Sequence, residues 1–454
     1  MGHDLCFLRG SGIGFAAARN ESAGCGVDMG SCRPVVPIGH RVTPQEWSSP
    51  MKEPDRAAPA AEPPVEREQS SPEPGLLLPR VVTDRISPAR SAAVASRVGI
   101  ALGVAVAICF LTGLISHWVQ HPPAWFWWPA NPVWLYRLTQ GAHVVSGVVA
   151  IPLLLVKLWA VFPRLFARPL IGNPLHLLER GSIAVLVGSM IFQLITGLFN
   201  TAQFYPWKFF FTTTHYAMAF VSVGALAVHL AVKLPVVRAA LARPDSGSEK
   251  PPPDEAGIAA RRSVLVAAGA AAVVAGVAIA GQSVPLLRRI SVLAPRSGEG
   301  PQGLPVNRTA NQAGVLELAQ DAGYRLEVIV GDRTRRFTYA ELVALPQTEA
   351  EVPLACVEGW SVSAQWSGIR VRDLLAAVGD YRGGDVEFRS LEPSGIYNRS
   401  LLPQTHVVDA STLVALRLNG EELDLDHGYP CRLIAPTRPG VLQTKWLSAI
   451  EVRA

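Results

Sequence analysis

Paired cysteines are missing from this chain. Its six cysteines, at positions 6, 25, 32, 109, 356 and 431, include no CxxC spacing. That excludes the usual close-paired metal and dithiol motifs and speaks against a structural disulfide framework. Also missing is any basic run interleaved with aromatics, so a net charge of +5 over 454 residues does not describe a nucleic-acid surface. Residues 1–95 have few large apolar side chains. Stretches such as PDRAAPAAEPPVEREQSSPEP hold too few to offset the entropy of ordering the backbone, so a disordered, Pro-rich cytoplasmic tail is expected there. Met51 stands where the composition of the tail becomes uniform and marks an alternative start.

What is abundant is apolar. A hydrophobic fraction of 49% is high for a soluble enzyme and suits a chain of two to four domains that is part membrane, part soluble. Spans are expected at 98–116, 132–160, 180–200 (with Pro174 as an earlier start), 210–234 and 263–282. Each is long enough to cross a hydrocarbon core of about 30 Å. The expected organisation is a four-span unit over 96–238, a cytoplasmic linker over 239–260, a fifth anchor span over 261–283, a second linker over 284–304, and a soluble domain over 305–454.

Basic residues set the orientation. Arg164, Arg168, Arg180, Lys233, Arg238, Arg243, Arg261 and Arg262 fall on one side together with Arg97, while HPPAWFWWPANPVW and NTAQFYPWKFFF carry interfacial aromatics on the other. The positive-inside rule then places the N-terminus in the cytoplasm and residues after the fifth span outside, in a multi-pass protein of the cell membrane. Arg261 and Arg262 with Leu265, ahead of an apolar run, resemble a twin-arginine export signal kept as an anchor.

From 305 onward the pattern changes. YRLEVIVG and DVEFRS alternate apolar and polar residues and end in turn signals, with short helical patterns such as YAELVALP and VRDLLAAVG between them. This predicts a mixed α+β domain. Its two distinctive stretches are PLACVEGWSVSAQW around Cys356 and HGYPCRLIAPTRPGVLQTKW from His427 to Trp446.

Together these two stretches resemble the molybdopterin-binding domain of the sulfite oxidase superfamily. There, one cysteine thiolate ligates molybdenum, and a histidine, an arginine five residues later and a lysine 18 residues after the histidine grip the pterin phosphate. His427, Arg432 and Lys445 repeat both intervals. A thiolate suits a soft, high-valent centre, and an arginine fork and a lysine point charge suit a phosphate. The resemblance further implies that Asn307 lies near the pterin, that Arg438 touches the cofactor, and that Glu358 and Tyr397 stand near the metal as catalytic groups. Cys431 is expected to be a core thiol. VEGWS after the cysteine is closest to the periplasmic methionine sulfoxide reductase branch. The immunoglobulin-like dimerisation domain of sulfite oxidases has no counterpart after the basic block.

Histidines within spans are functional candidates by default. His215 and His229, 14 residues apart, lie about 21 Å apart along one helix and on one face. His143 enters on a facing helix at the level of His215. Three such imidazoles suit haem ligation, and residues 96–235 resemble the four-helix b-type cytochromes of hydrogenases and formate dehydrogenases. That resemblance implies a haem b between His143 and His215. The first span has no histidine for the family's second haem, which leaves His176 to pair with His229. His117 and His121 are expected in an interfacial loop.

The expected function is a membrane-bound molybdenum-cofactor oxidoreductase. It exchanges electrons between the quinone pool, through haem b, and a small oxide or oxyanion outside the membrane. Reduction of S-oxides or N-oxides is the favoured direction, with sulfite-type oxidation as the alternative. Readings of another class are a non-catalytic membrane-anchored binding protein and a cytochrome that relays electrons to a separate enzyme.

Overall fold

A computed structural model describes residues 89–165, 174–242, 255–294 and 300–453, all within one compact unit. Most of the N-terminal tail, Met51, most of the linker 239–260, and the side chains of Arg164 and His176 lie outside the described residues.

Among the described residues, five helices are long and apolar enough to cross a membrane. They are α1 (Ala92–Gln120), α2 (Leu135–Leu165), α3 (Pro174–Thr201), α4 (Phe211–Leu241) and α5 (Glu255–Ala280). Ser91 caps α1, its hydroxyl accepting from the amide of Val94 at 3.2 Å, one of the orphan donors that every helix start exposes. Pro174 opens α3, where a missing N–H costs nothing. The first and fourth helices run longer than their apolar cores because polar and aromatic residues continue the turn beyond the hydrophobic stretch. His117 therefore lies within α1 rather than in a loop, its ring stacked on Tyr216 of α4 at 3.6 Å between centroids.

The fifth helix, expected as an anchor span, packs against the first two. Ala268 is buried among Val94, Val98 and Ala105 of α1 and Ala150 and Leu153 of α2. Gly276 admits Val149 of α2 so closely that a Cβ there would lie 3.2 Å from its methyl. Small residues at the crossing allow this approach between apolar helices, which gain little from hydrophobicity in lipid.

The remainder forms two sheets. The first has the order β2 (Arg333–Phe337), β1 (Leu326–Val330), β10 (Leu447–Val452), β5 (Val386–Ser390) and β6 (Arg399–Leu402), with only β1 and β10 parallel. The second has the order β3 (Thr348–Ala355), β4 (Ser361–Arg370), β7 (Leu413–Leu418) and β8 (Glu421–Glu422), with β9 (Arg432–Ile434) also on β7. Alternation predicted β1 and β5. Inward residues Leu326, Val328, Val330, Val386 and Phe388 join Leu374, Leu375, Leu433 and Ile450 in the main core. The β3–β4 hairpin packs a second core around Trp366, whose indole donates to the carbonyl of Val352 at 3.0 Å.

All helix connections on one end of the bundle meet this domain, and there the β3–β4 turn is seated. The carbonyl of Val357 accepts from Gln140 of α2 at 2.7 Å and from Asn200 of α3 at 3.4 Å. The amide of Ser361 donates to the carbonyl of Gln282 at 2.8 Å, and the hydroxyl of Ser283 to that of Gly359 at 3.0 Å. Gly359, at φ 102°, presses against Val144 and Gln282, where a Cβ would come within 2.5 and 2.6 Å. The conformation and the contact both demand glycine. Beside it, Ala355 is buried with Val119 and Tyr136.

Candidate active site

Cys356 opens the β3–β4 turn seated on the bundle and is 2% exposed. Its amide donates to the carbonyl of Trp360 at 2.8 Å, closing the turn. Cys356 lines a cavity of about 60 Å³ together with Pro305, Asn307, Trp360, His427, Arg432 and Lys445. The structure thus brings together Cys356, Asn307 and the basic triad, which the sequence spreads over 139 positions (307 to 445, counted inclusively). Burial, with the Glu358 carboxylate second, pushes the Cys356 thiol well above its ordinary range. A thiolate at this place therefore needs a metal cation to form.

The basic wall is built for an anion. Arg432 is 3% exposed and 5.3 Å over the ring of Trp366. It donates to the carbonyls of His427 at 2.9 Å and Gln443 at 3.3 Å, and its Nε is buried with no partner among the described residues. Desolvation alone brings it down to about 9. Lys445 donates to the carbonyls of Asp426 at 2.9 Å and Arg308 at 2.5 Å, and burial followed by the Arg432 charge brings it to about 7. His427, its Nε2 bonded to the carbonyl of Pro301 at 2.7 Å, is brought to about 4 by burial and then Arg432. Burial lowers all three basic groups, the Arg432 charge further lowers His427 and Lys445, and a phosphate would favour the charged form of each. Gly428, at φ 110°, sits between the stems of Arg432 and Lys445, where a Cβ would meet both at 3.1 Å. The donor set and the orphaned guanidinium nitrogen fit a molybdopterin phosphate, and Cys356 fits as its metal's ligand.

Around the sulfur, Asn307 donates from Nδ2 to Cys356 Sγ at 2.8 Å. Glu358 is 9% exposed; burial raises its carboxyl, offset by hydrogen bonds from Gln203 at 2.6 Å and the Trp360 indole at 3.0 Å. Tyr397 is half-buried and raised by burial and then by the neighbouring Cys356. Arg438 stands elsewhere: it does not line the cavity, and its guanidinium donates to the carbonyl of Val119 in α1 at 3.2 Å and of Leu401 at 3.1 Å. Its buried Nε is unpartnered too, and its immediate role is at the seam with the helices. Cys431 lies in the core, 3.3 Å from the hydroxyl of Tyr324. Sequence reasoning missed Gln140 and Gln203, because a polar residue at a helix end carries no signal until its partner is in place.

The intramembrane histidines are oriented. His143 Nδ1 meets the carbonyl of Cys109 at 2.8 Å, so that nitrogen carries the proton and Nε2 keeps its lone pair. Thr196 donates its hydroxyl to the carbonyl of Phe192 at 2.7 Å, leaving its oxygen to accept from His215 Nδ1 at 2.9 Å, with the same consequence for His215 Nε2. Glycines stand opposite both rings: Gly113 at His143 and Gly197 at His215. His229 lies 14 residues further along α4, toward the end where Lys233 of that helix bonds to Glu179 of α3. Oriented imidazoles with free Nε2 atoms and glycine-made room fit haem ligation. His176 lies outside the described side chains. His117 and His121, with Gln120 and Tyr216, line a separate open cavity at the docking end of the bundle.

Residues 313–454 match the family model of the oxidoreductase molybdopterin binding domain. A putative protein-methionine-sulfoxide reductase subunit YedZ1 of Azospira oryzae is 32% identical over 133 residues, covering 29% of this chain and 49% of that protein. The mitochondrial sulfite oxidase of Rattus norvegicus is 30% identical over 179 residues, 33% of this chain and 32% of that one. The sulfite oxidase of Arabidopsis thaliana is 36% identical over 114 residues, 21% and 29% respectively. The chain thus spans half or less of the length of these curated relatives.

Proposed function

We propose that the protein is a membrane-bound molybdopterin-dependent oxidoreductase. It exchanges electrons between the quinone pool and a small extracytoplasmic S-oxide or N-oxide, by way of a haem b held between His143 and His215. The observation that carries this reading is the seat of the Cys356 turn: Gln140, which holds the carbonyl of Val357, lies one helical turn from His143 on α2. A ligand of the expected metal and a ligand of the expected haem are thereby joined through one side chain and one hydrogen bond. The basic-residue asymmetry of the connections supports an extracytoplasmic soluble domain and a cytoplasmic N-terminus.

When bound, the molybdenum cofactor supplies two-electron oxygen-atom transfer and the haem supplies single-electron steps. His427, Arg432 and Lys445 hold the pterin phosphate, while Asn307 donates to the Cys356 sulfur. Reduction of an oxide consumes two electrons and two protons and releases water. Glu358 and Tyr397, both beside Cys356, are the groups placed to deliver those protons. The closed turn and the covering helices keep bulk water from the sulfur. His229 with His176 is the site for a second haem. A sulfite-type oxidation running the electrons the other way is the second reading, favoured by the sulfite oxidases among the relatives.

A Cys356→Ser variant tests the assignment. It is expected to keep its haem bands, to lose molybdenum on elemental analysis, and to respond to no oxide or oxyanion. Normal molybdenum content and turnover in that variant would contradict it.

A further inference from the structure

One hydrogen-bonded chain leads from the helical bundle to the sulfur of Cys356. Gln203 lies in the connection between α3 and α4, held in a left-handed turn at φ 54° by its own amide bonded to the carbonyl of Asn200 at 3.1 Å. Its Nε2 donates to Glu358 Oε2 at 2.6 Å and to Asn307 Oδ1 at 3.2 Å. Asn307 donates in turn from Nδ2 to Cys356 Sγ at 2.8 Å. Trp360 Nε1 donates to the same oxygen of Glu358 at 3.0 Å, fixing that carboxylate from the other side. Two residues on from Gln203, Tyr205 senses Glu358, Cys356 and Tyr397. The bundle therefore reaches the site through Asn307 and Glu358, from a segment outside the matched domain.

We propose that Gln203 is a positioning residue of the molybdenum site, contributed by the membrane bundle, which strengthens the hydrogen bond from Asn307 to the Cys356 thiolate and so raises the reduction potential of the metal. This rests on the reading of Cys356 as the metal's ligand. A donor on Asn307 Oδ1 polarises the amide and makes its Nδ2–H a stronger donor, since linked hydrogen bonds reinforce one another. An N–H···S bond draws electron density from the thiolate and favours the more electron-rich, reduced metal. The bond to Glu358 keeps the Gln203 amide in register.

The test uses the full-length holoenzyme and two variants. Gln203→Glu keeps the size and removes the N–H donors, and Gln203→Gly removes the side chain at a positive φ that glycine accepts. The readings are molybdenum content, haem spectrum, and the Mo(V)/Mo(IV) midpoint from a redox titration followed by electron paramagnetic resonance. Both variants are expected to retain molybdenum and haem, to shift the midpoint in the negative direction, and to lose about tenfold in kcat with KM little changed. An unshifted midpoint in two fully loaded variants would overturn the proposal. So would loss of molybdenum from both, which would make Gln203 a structural support only. Absence of molybdenum from the unaltered protein would instead bring down the reading of Cys356 itself.

Discussion

Arg432 shows how much of this site one side chain can report. A guanidinium 3% exposed, stacked on Trp366 and left with an unpartnered Nε, is unfavourable until an anion arrives. Replacing it with leucine should abolish molybdopterin retention while the haem bands persist, as measured by pterin released from purified protein. Full pterin occupancy in Arg432→Leu would remove the phosphate from this wall. Lys445 gives a pH signature for the same event. Burial brings its ammonium to about 7 in the empty site, so it is charged below that pH and neutral above it. A bound phosphate favours the charged form, so loading takes up a proton and weakens as pH rises through 7. Titration of cofactor-free protein at pH 6.5 and 9 should give weaker binding at the higher pH, with heats that change with the buffer's ionisation enthalpy. Equal affinity at both would contradict the assignment. The triad was legible in the sequence because its intervals encode one loop and one strand. The position of Arg438 was not, since facing the helices rather than the cavity depends on a partner 319 residues away.

At the scale of elements, α2 is the piece on which the proposed circuit depends. It carries His143 in its first third and Gln140 one turn closer to the soluble domain. Gln140→Leu removes the hydrogen bond to Val357 but also the unpartnered Oε1 of Gln140. Stability should change by no more than about 1 kcal/mol. The rate at which substrate reoxidises the reduced haem should fall severalfold, read by rapid-mixing spectroscopy. An unchanged rate with intact cofactors would separate electron flow from this contact. The spans were readable from hydropathy and their ends only roughly, because polar residues such as His117 prolong a helix that hydropathy alone would stop. The fifth helix read as an anchor for a related reason. Its alanines and glycines look featureless in sequence, and only the approach of Val149 and Leu153 shows that they are a packing face. The β-strands fared better where a face alternates, as in β1, than in β9, whose three residues are all buried.

For the molecule as a whole, the central claim is that membrane bundle and soluble domain form one electron circuit, joined where the Cys356 turn enters the helices. The run of long apolar helices followed by a sheet-bearing domain could be read from the chain. The joint could not, because Gln140, Asn200, Gln203, Gln282 and Ser283 are ordinary polar residues until the fold sets them against Val357, Glu358, Gly359 and Ser361. The most direct test is to reduce the purified full-length protein with one equivalent of dithionite, mix it rapidly with methionine sulfoxide, trimethylamine N-oxide or sulfite, and follow the haem bands. The account predicts reduced b-type haem bands that are reoxidised by an S-oxide or N-oxide in the unaltered protein and remain reduced in Cys356→Ser. Absence of haem bands, or reoxidation that proceeds equally well without Cys356, would contradict it.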